Sequence, residues 1–222
     1  MSKVKICGLT GAEDIVAVNH VLPDYIGFVF AKSRRMVDAR TAAVLKEKLE
    51  PKIKAVGVFV NEDISVISEM HQNGIIDLVQ LHGDEDDGYI KRLKNNCGCE
   101  VIKAVGIGKR SKGTVPALDI SSAGTVPLLG TPFHVQPDYL LFDTLSTQRG
   151  GTGKTFDWRL LKGYSGLPYF LAGGLSLENV GCAIDLLAPF CLDVSSGVET
   201  DGIKDAAKIE KFVDAVRRKN DE

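Results

Sequence analysis

The sequence lacks any apolar run of about 18 residues, the length a membrane-spanning helix needs, so no transmembrane helix is expected. Its opening, MSKVKICGLTGAED, lacks the continuous apolar stretch of a secretory signal, and a cytoplasmic protein is expected. Charge of one sign is also missing: 27 Lys and Arg stand against 29 Asp and Glu, a formal net of −2. Nucleic-acid binders usually carry a basic excess, so neither a nucleic acid nor a membrane is expected as partner. Histidine is sparse, and His20, His71, His82 and His134 form no i,i+4 pair, so no metal site is expected. The five cysteines are odd in number and irregular in spacing, which fits reduced thiols better than a disulfide framework. Cys97-Gly98-Cys99 misses the C-x-x-C spacing and reads as an ordinary loop.

What is present is globular: 44% apolar and 25% charged residues over 222 positions, enough for one barrel-sized domain covering 1–222. Short apolar runs alternate with helix-like stretches. Strands are expected at Val4–Cys7, Tyr25–Phe30, Ile53–Val60, Leu78–Leu81, Val101–Val105, Tyr139–Phe142, Tyr169–Ala172 and Leu192–Val194. Helices are expected near 11–21, 41–49, 63–73, 84–95, 178–187 and 204–218. The strands are mostly continuously apolar, as parallel strands covered on both faces are. Eight such units in 222 residues average about 28 each, which fits an α/β fold of the (β/α)₈ TIM-barrel type with a parallel eight-stranded core. An open doubly wound sheet is the alternative. Residues 108–137, rich in Gly, Pro, Ser and Thr, are expected to be irregular.

In such a barrel chemistry gathers where the strands end. The expected strands end on Cys7, Asn61, His82, Asp143, Gly173-Gly174 and Ser195-Ser196-Gly197, with Arg34 and Arg35 just after the second. The turns Ala172-Gly173-Gly174-Leu175 and Ser195-Ser196-Gly197-Val198 let backbone N–H groups approach an anion. Either alone is as well explained by a tight turn; on adjacent strands they favour a phosphate site. Gly150-Gly151-Thr152-Gly153-Lys154-Thr155 fails as a P-loop, because Gln148 stands where glycine is required; a lid spanning 144–155 is the better reading. The acidic run Asp84-Glu85-Asp86-Asp87 reads as a solvated helix cap, and Trp158 as a packing residue.

The ordered set Lys5-Ile6-Cys7-Gly8-Leu9-Thr10, Gly27-Phe28-Val29-Phe30, Ser33-Arg34-Arg35, Val58-Phe59-Val60-Asn61, Val79-Gln80-Leu81-His82-Gly83 and Leu141-Phe142-Asp143-Thr144 resembles the phosphoribosylanthranilate isomerase family. The resemblance continues through Gly151–Trp158, Ala172–Leu175 and Asp193–Glu199, almost the whole chain. It implies a (β/α)₈ barrel without cofactor that carries out an Amadori rearrangement of N-(5-phosphoribosyl)anthranilate in tryptophan biosynthesis. By the same resemblance Cys7 is the general base at C2′ and Asp143 the general acid for the furanose oxygen. Arg35 would hold the anthranilate carboxylate, with Arg34 solvated. Gly174, Ser196 and Gly197 would bind the phosphate, and Asp193 would orient the substrate amine or the catalytic groups. His82 either lines the pocket or, as the preferred reading, hydrogen-bonds locally.

An unperturbed aspartic acid, of pKa about 3.9, is protonated in roughly one molecule per thousand at pH 7, so the acid role asks for burial or for substrate closing over it. A free thiol is roughly 3% thiolate at that pH, and a cationic Schiff base beside it would raise the fraction. Asp201 departs from the family pattern, where proline is usual. Rival readings are the related isomerase of histidine biosynthesis, opposed by Cys7, and a sensor that kept the pocket, opposed by Cys7 with Asp143. The partner expected is a phosphorylated small molecule; the expected assembly is a monomer, with a homodimer as the alternative.

Overall fold

The computed structural model describes residues 1–107, 117–118, 136–144 and 155–222. The irregular stretch expected at 108–137 and the glycine-rich 144–155 lid lie almost wholly outside the described residues.

Eight parallel strands close a barrel: β1 Lys3–Cys7, β2 Tyr25–Val29, β3 Lys54–Phe59, β4 Leu78–Leu81, β5 Glu100–Ile107, β6 Tyr139–Thr144, β7 Tyr169–Leu171 and β8 Cys191–Val194. Each pairs with its neighbours in sequence, and β8 returns to β1 through Lys5↔Asp193 and Ile6↔Val194. A two-residue strand, Ala117–Leu118, lies beside the end of β5. This closure removes the sheet edges and sets aside the open doubly wound alternative.

Six α-helices are found among the described residues: α1 Ala12–Val21, α2 Ala39–Glu47, α3 Ile64–Gln72, α4 Asp87–Cys97, α5 Val180–Leu187 and α6 Ala206–Asp221. Aspartates fix several starts, with Asp38, Asp63, Asp86 and Asp205 accepting from the backbone N–H of Thr41, Ser65, Tyr89 and Lys208. Between β6 and β7 the chain forms a 3₁₀ turn, Trp158–Leu161, and Trp158 packs against the core as expected.

The strands alternate strictly despite their apolar look. One set of side chains packs outward against the helices. The other fills the barrel interior with Tyr25, Val56, Leu78, Ile102, Leu141, Phe170 and Cys191. Continuing that inward parity towards the C-terminal mouth gives Cys7, Gln80, His82, Asp143 and Asp193, so the floor of the site is dictated by strand register.

Two expectations change. The acidic run after β4 is not wholly solvated, because Glu85 is buried: its carboxylate meets Lys103 Nζ at 2.7 Å and accepts from the N–H groups of Asn61 and Gly83. Cys97 and Cys99 are not separate thiols; their sulfurs are joined across Gly98. Gly98 ends α4 in the left-handed region, φ 64°, and brings the two Cα atoms to 5.3 Å. Cys7, Cys182 and Cys191 are free.

Candidate active site

A cavity of about 510 Å³ opens at the C-terminal mouth, within the range of small-molecule sites. Of the residues expected in the site, Cys7, Arg35, Asp143, Gly174, Asp193 and Ser196 line it together. Gly197 does not line it; a Cβ there would collide with the carbonyl oxygen of Leu175.

Cys7 ends β1. Gly27 on β2 makes room for it, since a Cβ there would sit 2.7 Å from the thiol sulfur. Burial pushes the Cys7 thiol up from its ordinary value, the Lys5 ammonium pulls it down, and Asp193 pushes it up again. The net effect is upward, so lowering by a cationic intermediate has more to do than an exposed thiol would require.

Two residues below Cys7, Lys5 is fully buried inside the barrel. Its ammonium donates to Asp193 Oδ2 at 2.9 Å and Gln80 Oε1 at 2.8 Å. Burial works most strongly against that charge, but Asp193, Cys7 and Cys191 together outweigh it and hold the lysine above its ordinary value. Asp193 keeps its other oxygen, Oδ1, buried and without a partner among the described residues. Such a buried lone acceptor is costly, which marks it as a place for a donor on a ligand.

Asp143 near the end of β6 faces the same cavity. Its Oδ1 accepts from the Thr144 N–H at 2.7 Å, and its Oδ2 stands 3.5 Å from His82 Nε2. His82 therefore reaches further than a local hydrogen bond: Gln80 holds its Nδ1 at 3.1 Å, and its other nitrogen addresses the carboxyl.

Arg35 follows β2 and is mostly buried. Its stem crosses Gly8, whose φ of 83° and missing Cβ leave the path open. Nε and Nη2 donate to Glu199 at 2.7 and 3.0 Å, using two of the five guanidinium N–H groups. The same carboxylate accepts from Lys204 Nζ at 2.7 Å and Arg34 Nη2 at 2.5 Å. Arg34 is thus half-exposed but paired, not simply solvated. Burial opposes the Glu199 charge, but Arg35 and Lys204 overcome it and hold the carboxyl below its ordinary value. Lys204 is held there by the hairpin Glu199–Thr200/Ile203–Lys204. Its turn puts Asp201 at φ 51° and Gly202 at φ 83°, angles a proline could not adopt.

The loops after β7 and β8 form the remaining wall. Gly173 and Gly174 have φ of 82° and 73°, and a Cβ on Gly173 would meet the backbone N of Thr144 at 2.7 Å. Asn179 fixes this turn by donating to the Gly174 carbonyl and accepting from the Ser176 N–H, both at 2.9 Å.

Sequence reasoning passed over Lys5, Gln80, Lys204 and Glu199 as site residues. The signal for the first two was parity: Lys5 and Gln80 lie two residues before Cys7 and His82, on the same inward face. Nothing local marked Glu199, whose arginine partners are about 165 positions away in sequence.

Fold and mouth together define a (β/α)₈-barrel enzyme with acid–base groups and a guanidinium around a small-molecule cavity. A model of the family described as N-(5'phosphoribosyl)anthranilate (PRA) isomerase matches residues 4–215. The N-(5'-phosphoribosyl)anthranilate isomerases of Endomicrobium trichonymphae and Clostridium acetobutylicum are 45% and 46% identical, over 98% of this chain and 99% of theirs. The phosphoribosyl anthranilate isomerase of Thermotoga maritima superposes with a TM-score of 0.81 at 36% identity, covering 98% of this chain and all of that one. A further crystal structure, the isomerase in complex with reduced 1-(o-carboxyphenylamino)-1-deoxyribulose 5-phosphate, gives 0.76 at 33% identity, with 98% and 100% coverage. Another, also 0.76, at 34% identity and the same coverage, is of monomers made from the dimeric Thermotoga maritima protein. The chain belongs to the phosphoribosylanthranilate isomerase family, enzymes of tryptophan biosynthesis. Among the described residues no helix is long and apolar enough to cross a membrane.

Proposed function

We propose that this isomerase runs the Amadori rearrangement with Asp143 as general acid and Cys7 as general base. The observation that carries the proposal is that both groups line one cavity from different strands, β6 and β1, with an arginine and a glycine-rich wall around them. Asp143 gives its proton to the furanose oxygen O4′. The C1′–O4′ bond breaks, and the nitrogen lone pair forms the C1′=N bond of a cationic Schiff base. The Cys7 thiolate then takes the C2′ proton, and the electron pair of that C–H bond neutralises the iminium as an enolamine. Loss of the proton from the C2′ hydroxyl and protonation of C1′ give the ketose. Lys5, fixed below, favours thiolate at Cys7 by its charge.

Arg35 suits the anthranilate carboxylate. Glu199 occupies its Nε–Nη2 edge, which leaves the Nη1–Nη2 edge for a second, parallel pair of hydrogen bonds. The unpartnered Oδ1 of Asp193 suits the anthranilate N–H. The turns holding Gly174, Ser196 and Gly197 suit the phosphate. The ligand of the complexed relative carries the same three groups: carboxylate, amine and phosphate.

The test generates phosphoribosylanthranilate in situ and follows loss of its fluorescence. Cys7→Ser and Asp143→Asn should each lower kcat by about 100-fold or more, the usual worth of a positioned acid or base. A folded variant of either kind with wild-type turnover refutes the assigned role.

A further inference from the structure

A chain of polar contacts crosses the floor of the cavity: hydrogen bonds link Asp193, Lys5, Gln80 and His82, and His82 Nε2 stands 3.5 Å from Asp143 Oδ2. The rearrangement as written gives no role to Gln80 or His82. We infer that Gln80, oriented by Lys5, is a positioning residue that fixes which ring nitrogen of His82 carries its proton, and that this decides how Asp143 delivers its own. The inference rests on the acid role of Asp143.

The direction of every bond follows from donor chemistry. An ammonium only donates, so the atom of Gln80 that meets Lys5 Nζ at 2.8 Å is the carbonyl oxygen. Turning the amide over would press its NH₂ against a buried cation. The NH₂ group therefore faces His82, where it too can only donate, and Nδ1 at 3.1 Å receives it with a lone pair. A neutral ring then carries its hydrogen on Nε2, the nitrogen 3.5 Å from Asp143 Oδ2. Lys5 cannot swing away from this arrangement. It is fully buried, and its charge is tied to Asp193 as well.

The tautomer matters because of what Asp143 becomes. When the carboxyl gives its proton to O4′ it turns into a carboxylate. That charge then meets the Thr144 N–H hydrogen-bonded at Oδ1 and faces the His82 Nε2–H, 3.5 Å from Oδ2 and within range of its field. Donors placed where charge develops lower the barrel's cost of forming it. The opposite tautomer would offer Asp143 a lone pair at the same place. That lone pair would draw the carboxyl proton towards the ring and away from the substrate, and would repel the carboxylate afterwards.

Gln80→Glu is the near-isosteric test. Its carboxylate still accepts from Lys5, but against His82 it offers only an acceptor, so the ring hydrogen should move to Nδ1. Long-range proton–nitrogen NMR of the imidazoles at pH 8 distinguishes a protonated from a lone-pair nitrogen, with His82 assigned through His82→Asn. The wild type should show the Nε2–H form and Gln80→Glu the Nδ1–H form. Alongside that change, kcat should fall at least about tenfold with KM within about threefold, since the defect lies in proton transfer and not in binding. Gln80→Met, which neither donates nor accepts there, should give mixed tautomers and an intermediate kcat, and serves if the charged variant does not fold. Iodoacetamide alkylation of Cys7 should stay within about twofold of wild type in the uncharged Gln80→Met, whereas the carboxylate of Gln80→Glu offsets Lys5 and slows it.

A wild-type Nδ1–H form overturns the inference without any activity measurement. So does a variant whose tautomer changes while kcat does not, or a Gln80→Met whose loss of kcat is matched by a loss of Cys7 alkylation. A fully active Asp143→Asn would instead remove the acid role on which the inference stands, leaving the tautomer itself unchanged.

Discussion

Glu199→Gln is the most informative single change outside the reacting groups. The Glu199 side chain is 4% exposed and its carboxylate is shared by Arg34, Arg35 and Lys204, the last with a side chain only 3% exposed. Gln retains one acceptor oxygen but turns an NH₂ group towards cations and removes the negative charge among them. Breaking a buried ion pair from one side costs about 3–5 kcal/mol. The half-exposed Arg34 can turn to solvent, so the lower end, about 3 kcal/mol, is expected. For a protein of this size that lowers Tm by about 6–12 °C. Arg35 also loses the partner that fixes its guanidinium plane. With Arg35 holding the substrate carboxylate as proposed, a loss of about 1.4 kcal/mol there raises KM about tenfold, while kcat stays within about threefold because the proposed acid and base are untouched. Thermal melting and the fluorescence assay read the two effects separately. Adding Lys204→Met removes the stranded cation and should recover several degrees of Tm without recovering KM. A Glu199→Gln protein that melts within about 2 °C of wild type with unchanged KM refutes the reasoning.

Gly27→Ala places a Cβ 2.7 Å from the Cys7 sulfur, so the thiol must move; kcat should fall at least about tenfold while stability drops by about 1–3 kcal/mol, as circular-dichroism melts would show. Alkylation of Cys7 by iodoacetamide, read by peptide mass spectrometry against the exposed Cys182, should keep rising past pH 9, because burial raises the thiol and only the thiolate reacts; a plateau near pH 7 contradicts this. Burial, joined at Tyr139 by the Glu100 carboxylate, pushes Tyr139 and Tyr169 up to about 12. The unfolded chain ionises its tyrosines near pH 10, so their contribution is whole below that value and is lost as pH rises towards 12. Denaturation midpoints should fall across that window while ultraviolet absorbance shows both phenols still protonated in the folded protein.

The barrel was legible because eight apolar runs separated by helix signals leave few other ways to cover every strand. Leu78–Leu81 was read to the residue, and most other ends within two. The helix over 84–95 was placed about three residues early, because Glu85 looks like a first-turn acid but is spent on Lys103. Cys7, Asp143 and Asp193 were legible as polar residues ending inward-facing strand positions. The supporting groups were harder to see. Lys5 looks like a surface charge beside Lys3 until strand parity turns it inward. Glu199 acquires its place only when the last hairpin folds back on the loop after β2. Pairings between distant segments leave no local pattern, and the bonding of Cys97 to Cys99 depends on a left-handed glycine rather than on a familiar spacing.

The central claim is that the C2′ proton leaves to the thiol of Cys7. Single-turnover fluorescence decay with excess protein, using substrate made from ribose phosphate with hydrogen or deuterium at C2, tests it most directly. The wild type should react fast, and Cys7→Ser at least about 100-fold more slowly, with deuterium slowing the serine variant further because C–H cleavage then limits the rate. A serine variant that decays within about twofold of wild type, with the same response to deuterium, would contradict the account.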